Sequence, residues 1–266
     1  MMNIDSVRKE IEAILNRPLP FPEKEICARL LGFVDLTTLE GTDTRQRVRE
    51  LCGKALRYRT GGVCVYPYYA GLTASLLKGS GIRTACVVGG FPASQIPLEL
   101  KLAEARYVLE QGADEMDMVL AQGAFLEGDH RRAGEEIKAM KAVCGEKHLK
   151  VILETGALQD LDLVEAAAWL AIENGADFIK TSTGKTAVSA TLEAYYVMLQ
   201  VIKAYYQQSG RRIGVKPAGG ISSVEAVLPY FRLLYAVLGE AWLSPDLFRI
   251  GASRLADGLA KEADLV

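Results

Sequence analysis

The chain has 266 residues, of which half are hydrophobic and 24% charged, and its formal net charge is −2 at pH 7. This composition is typical of a globular protein with a large core. The small net charge and the lack of a long basic run disfavour nucleic acid or an anionic membrane as the main partner. An anionic substrate must then be bound by local lysines and backbone amides.

The ends of the sequence and its cysteines indicate a cytoplasmic protein. No apolar run approaches the ~20 residues that a membrane span needs, and residues 1–17 have the pattern of an amphipathic helix, not of a signal peptide. The five cysteines are widely spaced and include no CxxC pair, so neither a disulfide framework nor a zinc cluster is indicated. With only two histidines, His130 and His148, we expect no metal site and no organic cofactor.

Strand-like and helix-like segments alternate after a proline-containing linker that ends near residue 22. Between the strands, apolar residues recur at the 3.6-residue spacing of helices. Eight strand–helix units without a break in composition predict one domain, a single (β/α)8 barrel of the TIM type with an extra N-terminal helix. The eight predicted strands span residues 30–37, 62–67, 83–90, 114–120, 149–155, 177–182, 213–219 and 247–253.

An open doubly wound sheet is the alternative architecture for such an alternating pattern. Neither GxGxxG nor GxxxxGK[ST] follows the early strands, which weakens that alternative. The junctions are consistent with regular strand–helix units, because Gly112 and Gly175 each precede Ala-Asp and a strand, as a helix-ending glycine does.

Two segments, DFIKTSTGK (177–185) and GVKPAGG (214–220), share one design, in which an apolar strand carries a lysine and ends in a Gly-rich loop. A lone strand lysine is usually an edge residue whose ammonium reaches water. Two copies are harder to explain in that way, because burial of an ammonium is costly. The alternation of strand side chains predicts that Lys180 and Lys216 face the barrel interior.

The same alternation predicts that Asp35 and Asp117 face the interior, near the C-terminal ends of strands, where barrels carry their chemistry. Either carboxylate alone could be a helix cap or a loop-binding group, but joint placement with two lysines favours a catalytic site. Neighbouring strands are ~4.8 Å apart, so each ammonium should disfavour protonation of the other. A neutral lysine can form a Schiff base with a carbonyl, and Asp117 can pass protons.

Three Gly-rich loops follow the sixth, seventh and eighth predicted strands at the same end of the barrel. Such loops bind phosphate through backbone N–H groups, and glycine permits the close approach. Ordinary turns also use Gly and Ser, but three such loops beside a lysine pair favour phosphate. They contain Thr183, Gly184 and Lys185, then Ala218, Gly219 and Gly220, and finally Gly251, Ala252 and Ser253.

Seven segments lie in order on the predicted barrel strands and their loops: DLTTL (35–39), CVYP (64–67), GADEMDMV (112–119), KVILETG (150–156), GADFIKTSTGK (175–185), GVKPAGGI (214–221) and RIGAS (249–253). With these motifs, the chain resembles the deoxyribose-phosphate aldolase family from end to end. The DLTTL form and SATLEA (189–194) are similar to the longer bacterial branch of the family. The resemblance implies a class I aldolase of deoxyribose catabolism, which cleaves 2-deoxy-D-ribose 5-phosphate reversibly to D-glyceraldehyde 3-phosphate and acetaldehyde.

By motif position, the resemblance assigns the Schiff base to Lys180, a supporting charge and proton donation to Lys216, and a proton relay to Asp117. It implies no metal and no cofactor. One departure is Arg254, because many relatives carry a second serine there; its guanidinium either contacts the phosphate or extends into solvent. The residues that the resemblance places around the substrate are Asp35, Thr37, Cys64, Thr183, Gly184, Lys185, Gly219, Gly220, Gly251 and Ser253.

Other functions remain open at this stage. Another Schiff-base lyase or a transaldolase could use the same lysines for a different phosphosugar. A non-catalytic phosphosugar-binding barrel could use the same loops, although two buried lysines are a costly way to bind one phosphate. A metal-dependent aldolase is disfavoured by the shortage of histidines. The resemblance also suggests a small phosphorylated sugar as the partner and a homodimer or homotetramer as the assembly.

Overall fold

The computed structural model describes residues 3–158 and 160–265. Its eight strands are β1 (Val34–Thr37), β2 (Gly62–Val65), β3 (Arg83–Val88), β4 (Glu115–Val119), β5 (His148–Ile152), β6 (Phe178–Lys180), β7 (Gly214–Lys216) and β8 (Ile250–Ala252). The α-helices of these described ranges are α1 (Ile4–Leu15), α2 (Glu23–Leu31), α3 (Arg45–Tyr58), α4 (Ala70–Leu77), α5 (Leu98–Glu110), α6 (Gln122–Leu126), α7 (His130–Cys144), α8 (Thr155–Leu158), α9 (Leu161–Glu173), α10 (Leu192–Ser209), α11 (Val224–Leu238) and α12 (Leu255–Glu262).

The strands form one parallel sheet that closes on itself. From β1 to β7 each strand pairs in parallel with the next one in sequence, and β1 also pairs with β8. Two isolated parallel bridges, Val215 to Phe248 and Ala218 to Gly251, join the last two strands and complete the ring. The predicted (β/α)8 barrel is confirmed.

Side chains that alternate along the strands divide the interior into two regions. Met116 and Met118 belong to the large apolar core between the barrel and its helices. Cys64, Ala85 and Val87 form a small apolar cluster inside the barrel. These orientations agree with the period-2 pattern of the sequence. Most of the remaining barrel interior is occupied by charged side chains, which the next section describes.

The N-terminal helix is confirmed as α1. Asn3 caps it by accepting hydrogen bonds from the backbone N–H groups of Asp5 and Ser6. The buried face carries Val7 and Ile11, and the helix packs against α10 and α11. In the parts of the chain that the structure describes, no helix combines the length and apolarity that a bilayer span requires.

Helix α2 was not predicted from the sequence, and the first predicted strand, residues 30–37, begins too early. Residues 30 and 31 form the last turn of α2, and the strand starts at Val34. The buried residues of this short helix are Ile26, Cys27, Leu30 and Leu31. The last two run directly into the apolar start of the strand, so a helical pattern and a strand pattern merge in the sequence.

The predicted C-terminal positions of two helices are confirmed. Gly112 and Gly175 each follow the residue that caps α5 or α9, with φ angles of 95° and 106°. Positive φ is easily adopted only by glycine. These glycines let the chain turn sharply from the end of each helix into β4 or β6, the strands that carry Asp117 and Lys180.

Candidate active site

The two strand lysines end neighbouring strands and share one partner. Lys180 and Lys216 are aligned across the β6–β7 pair. The ammonium of Lys180 lies 2.8 Å from Oδ2 of Asp117, and the ammonium of Lys216 lies 2.7 Å from the same atom. Both lysines are buried, as the alternation pattern predicts, and their ammonium groups are close neighbours.

Beneath Lys180, six buried side chains form a closed ring of alternating charge. The N–O distances between successive members range from 2.5 to 3.3 Å. The 2.6 Å contact of Lys216 with Oδ2 of Asp35 is an ion pair that lacks hydrogen-bond geometry. In order around the ring, the members are Asp117, Lys216, Asp35, Arg249, Glu115 and Lys150.

The ring contains three carboxylates and three cations, so it has no net charge. Lys180 is a seventh group, attached to the ring only through Asp117. If Lys180 is protonated, the buried cluster carries one excess positive charge; if Lys180 is neutral, the cluster is neutral. In the described ranges Lys180 therefore has a single carboxylate partner, whereas Lys150 and Lys216 each contact two carboxylates of the ring.

The electrostatics of the ring keep its members charged. Burial by itself would raise the pKa of Asp117, but the ammonium groups of Lys150, Lys180 and Lys216 hold that pKa well below its usual range. Burial lowers the pKa of Lys216, but Asp117 and Asp35 raise it by more, so the net shift is upward. Lys216 therefore carries a positive charge beside Lys180 at neutral pH.

Glycines create the space that these charged side chains occupy. A Cβ atom at Gly62 would collide with the Arg249 guanidinium and with the carboxylate of Asp35. A Cβ atom at Gly251 would lie 2.8 Å from Cβ of Ala218 and 3.3 Å from Cε of Lys216. The contact with Ala218 is closer than Cβ atoms approach in packed proteins, and the contact with Lys216 is tight, so a side chain at either glycine would require its neighbours to move.

A cavity of about 230 Å³ opens at the C-terminal ends of the strands. Eight of the predicted substrate-contacting residues lie on its wall together with Lys180, including all three Gly-rich loops. The segments predicted to bind phosphate and to form the Schiff base therefore meet in one cavity. The eight wall residues are Thr37, Thr183, Gly184, Lys185, Gly219, Gly220, Gly251 and Ser253.

The other predicted residues lie below the cavity and do not line its wall. Asp35 is the second residue of β1 and Asp117 the middle residue of β4, so both are deeper than the sequence pattern indicates. Cys64 is buried with Sγ 4.0 Å from Oδ2 of Asp117, and burial raises the pKa of its thiol. Thr37 links the cavity wall to the buried residues below it, since its hydroxyl donates to the backbone oxygen of Asp35 at 2.9 Å.

The analysis of the sequence missed Glu154, which orders the loop after β6. Glu154 has a φ angle of 57°, which is uncommon for a residue other than glycine. Its buried carboxylate accepts hydrogen bonds from the backbone N–H and the hydroxyl of Thr183. The Thr183 hydroxyl oxygen in turn accepts from the N–H of Lys185 at 3.0 Å. The position of Glu154, just after β5 at the C-terminal end of the barrel strands, could have marked it as a candidate site residue from the sequence.

Three ring members also had no assigned role in the sequence. These members are Glu115, Lys150 and Arg249. The alternation rule could have found Lys150, because it lies between the buried apolar residues Leu149 and Val151 of β5. Arg249 directly precedes β8 and is itself fully buried.

Comparison with known proteins gives a consistent set of relatives. A family model described as DeoC/LacD family aldolase matches residues 29–231. The deoxyribose-phosphate aldolase of Homo sapiens is 41% identical over 253 residues, which cover 88% of this chain and 79% of the human protein. That of Bos taurus is 40% identical over 248 residues, covering 86% and 78%.

A solved structure supports the same grouping. The deoxyribose phosphate aldolase from Aeropyrum pernix, described as having a unique tetrameric structure, superposes with a TM-score of 0.73 at 28% identity. The match covers 97% of this chain and 99% of that one. The similarity therefore extends over the whole barrel.

The first prediction concerns Glu115. Burial raises the pKa of this carboxyl, but Lys150 and Arg249 lower it by more and hold it well below its usual range. Glu115→Gln leaves those two cations with one carboxylate fewer, so we expect the free energy of unfolding at pH 7 to fall by about 3–5 kcal/mol. Urea denaturation measures this loss.

Glu135→Gln is the matched control, because Glu135 forms an exposed i,i+4 pair with Arg131 that should contribute less than ~1 kcal/mol. The stabilisation from a carboxylate with a depressed pKa is complete above its unfolded value of ~4.3 and is lost as the pH falls through the folded value. The deficit of Glu115→Gln should therefore shrink in strong acid. A variant as stable as wild type at pH 7 contradicts the proposed role of the ring.

Proposed function

The chain belongs to the DeoC/LacD family of aldolases, and we propose that it cleaves 2-deoxy-D-ribose 5-phosphate reversibly to D-glyceraldehyde 3-phosphate and acetaldehyde. It is a class I aldolase, which forms a Schiff base between a lysine and the substrate aldehyde. The observation that carries the proposal is the position of Lys180, on the wall of the cavity and outside an otherwise neutral buried ring.

The reaction begins when neutral Lys180 attacks C1 of the open-chain sugar. A bond forms between Nζ and C1, and loss of water gives a protonated Schiff base. Removal of the proton from the C3 hydroxyl lets the C2–C3 bond break, and its electron pair flows toward the iminium nitrogen. D-Glyceraldehyde 3-phosphate leaves, and an enamine remains on Lys180. Protonation at C2 and addition of water then release acetaldehyde and restore the amine.

Lys180 is the proposed nucleophile because it has one carboxylate partner among the described residues, whereas Lys150 and Lys216 each contact two. Lys216 is charged in the resting enzyme, since its pKa is raised by Asp117 and Asp35 against the effect of burial. Its fixed positive charge opposes a second one on Lys180. Lys180 is also on the cavity wall, whereas Lys216 lies beneath it.

Asp117 is the proposed proton relay. The ammonium groups of Lys180 and Lys216 both contact its Oδ2 atom. The carboxylate of Asp117 can therefore pass a proton between the substrate on Lys180 and Lys216. Lys216 is the proposed donor at the far end of that relay. Beneath the cavity, Asp35 would hold Lys216 in place, and Cys64 would lie close to Asp117. Thr37 would approach the sugar from the cavity wall.

The phosphate is proposed to bind at the Gly-rich end of the cavity. Gly219 and Gly220 have φ angles of 87° and 80°, which glycine adopts readily. Because they have no side chain, a ligand in the cavity can come close to their backbone. Lys185 contributes an ammonium to the same wall. The residues proposed to surround the phosphate are Thr183, Gly184, Lys185, Gly219, Gly220, Gly251 and Ser253.

We further propose that the protein acts as a cytoplasmic homodimer or homotetramer. The cytoplasm is supported by the five cysteines, which are all buried and unpaired. Assembly is supported by the relative from Aeropyrum pernix, which is described as tetrameric. Light scattering should give a mass two or four times the 28.9 kDa of one chain. A mass of one chain at micromolar concentration contradicts this assembly.

The Schiff base can be trapped. Acetaldehyde with borohydride should add one ethyl group to the peptide that carries Lys180, because reduction fixes the imine formed by a nucleophilic amine. Peptide mass spectrometry locates the adduct. Lys180→Ala should lose both the adduct and turnover, whereas Lys203→Ala, which changes an exposed lysine of α10, should keep both.

Two outcomes would count against the assigned reaction. A folded protein without any adduct removes the Schiff-base mechanism. An adduct with ketone donors, together with no cleavage of 2-deoxy-D-ribose 5-phosphate, identifies a different Schiff-base lyase or a transaldolase. A panel of donor aldehydes and ketones separates these cases.

The role of Lys216 predicts the pH dependence of Lys180 labelling. Lys216→Met removes a fixed positive charge while both carboxylates beside it remain. Lys180 should then hold its proton to higher pH, so the midpoint for labelling by acetaldehyde and borohydride should shift upward. Lys203→Met is the control for loss of a surface lysine. A midpoint that is unchanged or lower would show that the charge of Lys216 does not set the reactivity of Lys180.

A further inference from the structure

The rim of the cavity contains one cation without a partner. Four charged residues lie on the wall: Glu40, Lys180, Lys185 and Arg254. Lys180 is paired with Asp117, and Lys185 is paired with Glu40 at 3.0 Å. In the described ranges 3–158 and 160–265, the guanidinium of Arg254 makes neither an ion pair nor a hydrogen bond, although Arg254 occupies the N-cap position of α12.

The charge balance of the rim depends on this arginine. The Glu40–Lys185 pair is partly open to solvent, with side-chain exposures of 56% and 27%, and it has no net charge. The carboxylate of Glu40 also faces the cavity that receives the phosphate, and it competes with the phosphate for Lys185. Without Arg254, the charged side chains of the entrance would therefore offer a dianion no net charge, because Lys185 is paired with Glu40 and Lys180 with Asp117.

A guanidinium is better suited to bind a phosphate dianion than the other polar groups of the rim. It cannot lose its proton, and it binds two phosphate oxygens through parallel N–H donors. Arg254 follows Ser253 directly, so it is held beside the proposed phosphate loop by the fully buried Leu255 on its other side. No structural contact of its side chain explains an arginine here, because the side chain is exposed and makes no capping hydrogen bond.

We propose that Arg254 determines the preference of this enzyme for the 5-phosphorylated sugar over the free sugar, and that Glu40 limits this preference by holding Lys185. The inference rests on the proposed aldolase function. It concerns specificity and not the chemical step, because Arg254 and Glu40 lie on the rim, away from the buried ring.

The test compares kcat/KM for 2-deoxy-D-ribose 5-phosphate with kcat/KM for 2-deoxy-D-ribose. In Arg254→Ser the ratio of the two should fall about tenfold or more, mainly through KM of the phosphorylated sugar, since a charge-assisted hydrogen bond is lost. In Glu40→Gln the ratio should rise, because Lys185 is released toward the phosphate. Lys261→Ser, an exposed cation at the other end of α12, should leave the ratio unchanged.

Ionic strength gives a second readout. The wild-type ratio should fall as salt is added, because the interaction of a partly exposed cation with a dianion is screened. The ratio of Arg254→Ser should depend less on salt. Inorganic phosphate should inhibit cleavage of 2-deoxy-D-ribose 5-phosphate competitively, and more weakly in Arg254→Ser than in wild type. Arg254→Lys, which retains the charge without the paired donors, should give an intermediate ratio.

The outcomes separate the two proposals. If wild type cleaves both sugars and forms the Lys180 adduct but Arg254→Ser keeps the wild-type ratio and salt dependence, the role of Arg254 is overturned and the aldolase function stands. If Glu40→Gln lowers the ratio, the role of Glu40 is overturned. If folded wild type forms no adduct and cleaves neither sugar, the proposed function fails, and this inference fails with it.

Discussion

One buried carboxylate makes the rest of this site possible. Asp117 accepts Lys150 on one oxygen and both Lys180 and Lys216 on the other. Burial of an ammonium is costly without a compensating charge, and in the described ranges Asp117 is the one carboxylate that pairs with Lys180. Asp117 also draws the ends of β5, β6 and β7 toward β4, which places the reactive amine at a defined point beneath the cavity.

The six-membered ring extends this compensation through the barrel. Asp35 and Glu115 balance Arg249, and Lys150 closes the ring. Such a ring is costly to change in parts, because removal of any one member leaves its neighbours buried with an uncompensated charge. Lys180 differs from the ring lysines in the described structure because it contacts one carboxylate, whereas Lys150 and Lys216 each contact two.

Chemistry and substrate selection occupy different levels of the barrel. The buried ring adjusts the amine, and the loops above it form the cavity wall, where Glu154 fixes the backbone of the loop that carries Thr183 and Lys185. Interactions at the open rim are exposed to water and salt, so they are weaker and more easily altered. Residues such as Arg254 can therefore change which sugar is preferred without a disturbance of the charge balance below.

The sequence by itself determined the barrel, the inward direction of the two lysines and the catalytic end at which the Gly-rich loops gather. These features follow from period-2 and 3.6-residue patterns and from glycines at helix ends, which are local properties of the chain. Alternation states which face a side chain takes but not how far it reaches or which partner it meets. Tertiary structure decided that Lys150, Arg249 and Glu115 complete the ring, and that Lys185 pairs with Glu40. These partners come from strands and loops far apart in sequence, and only closure of the barrel brings their charges within ion-pair distance.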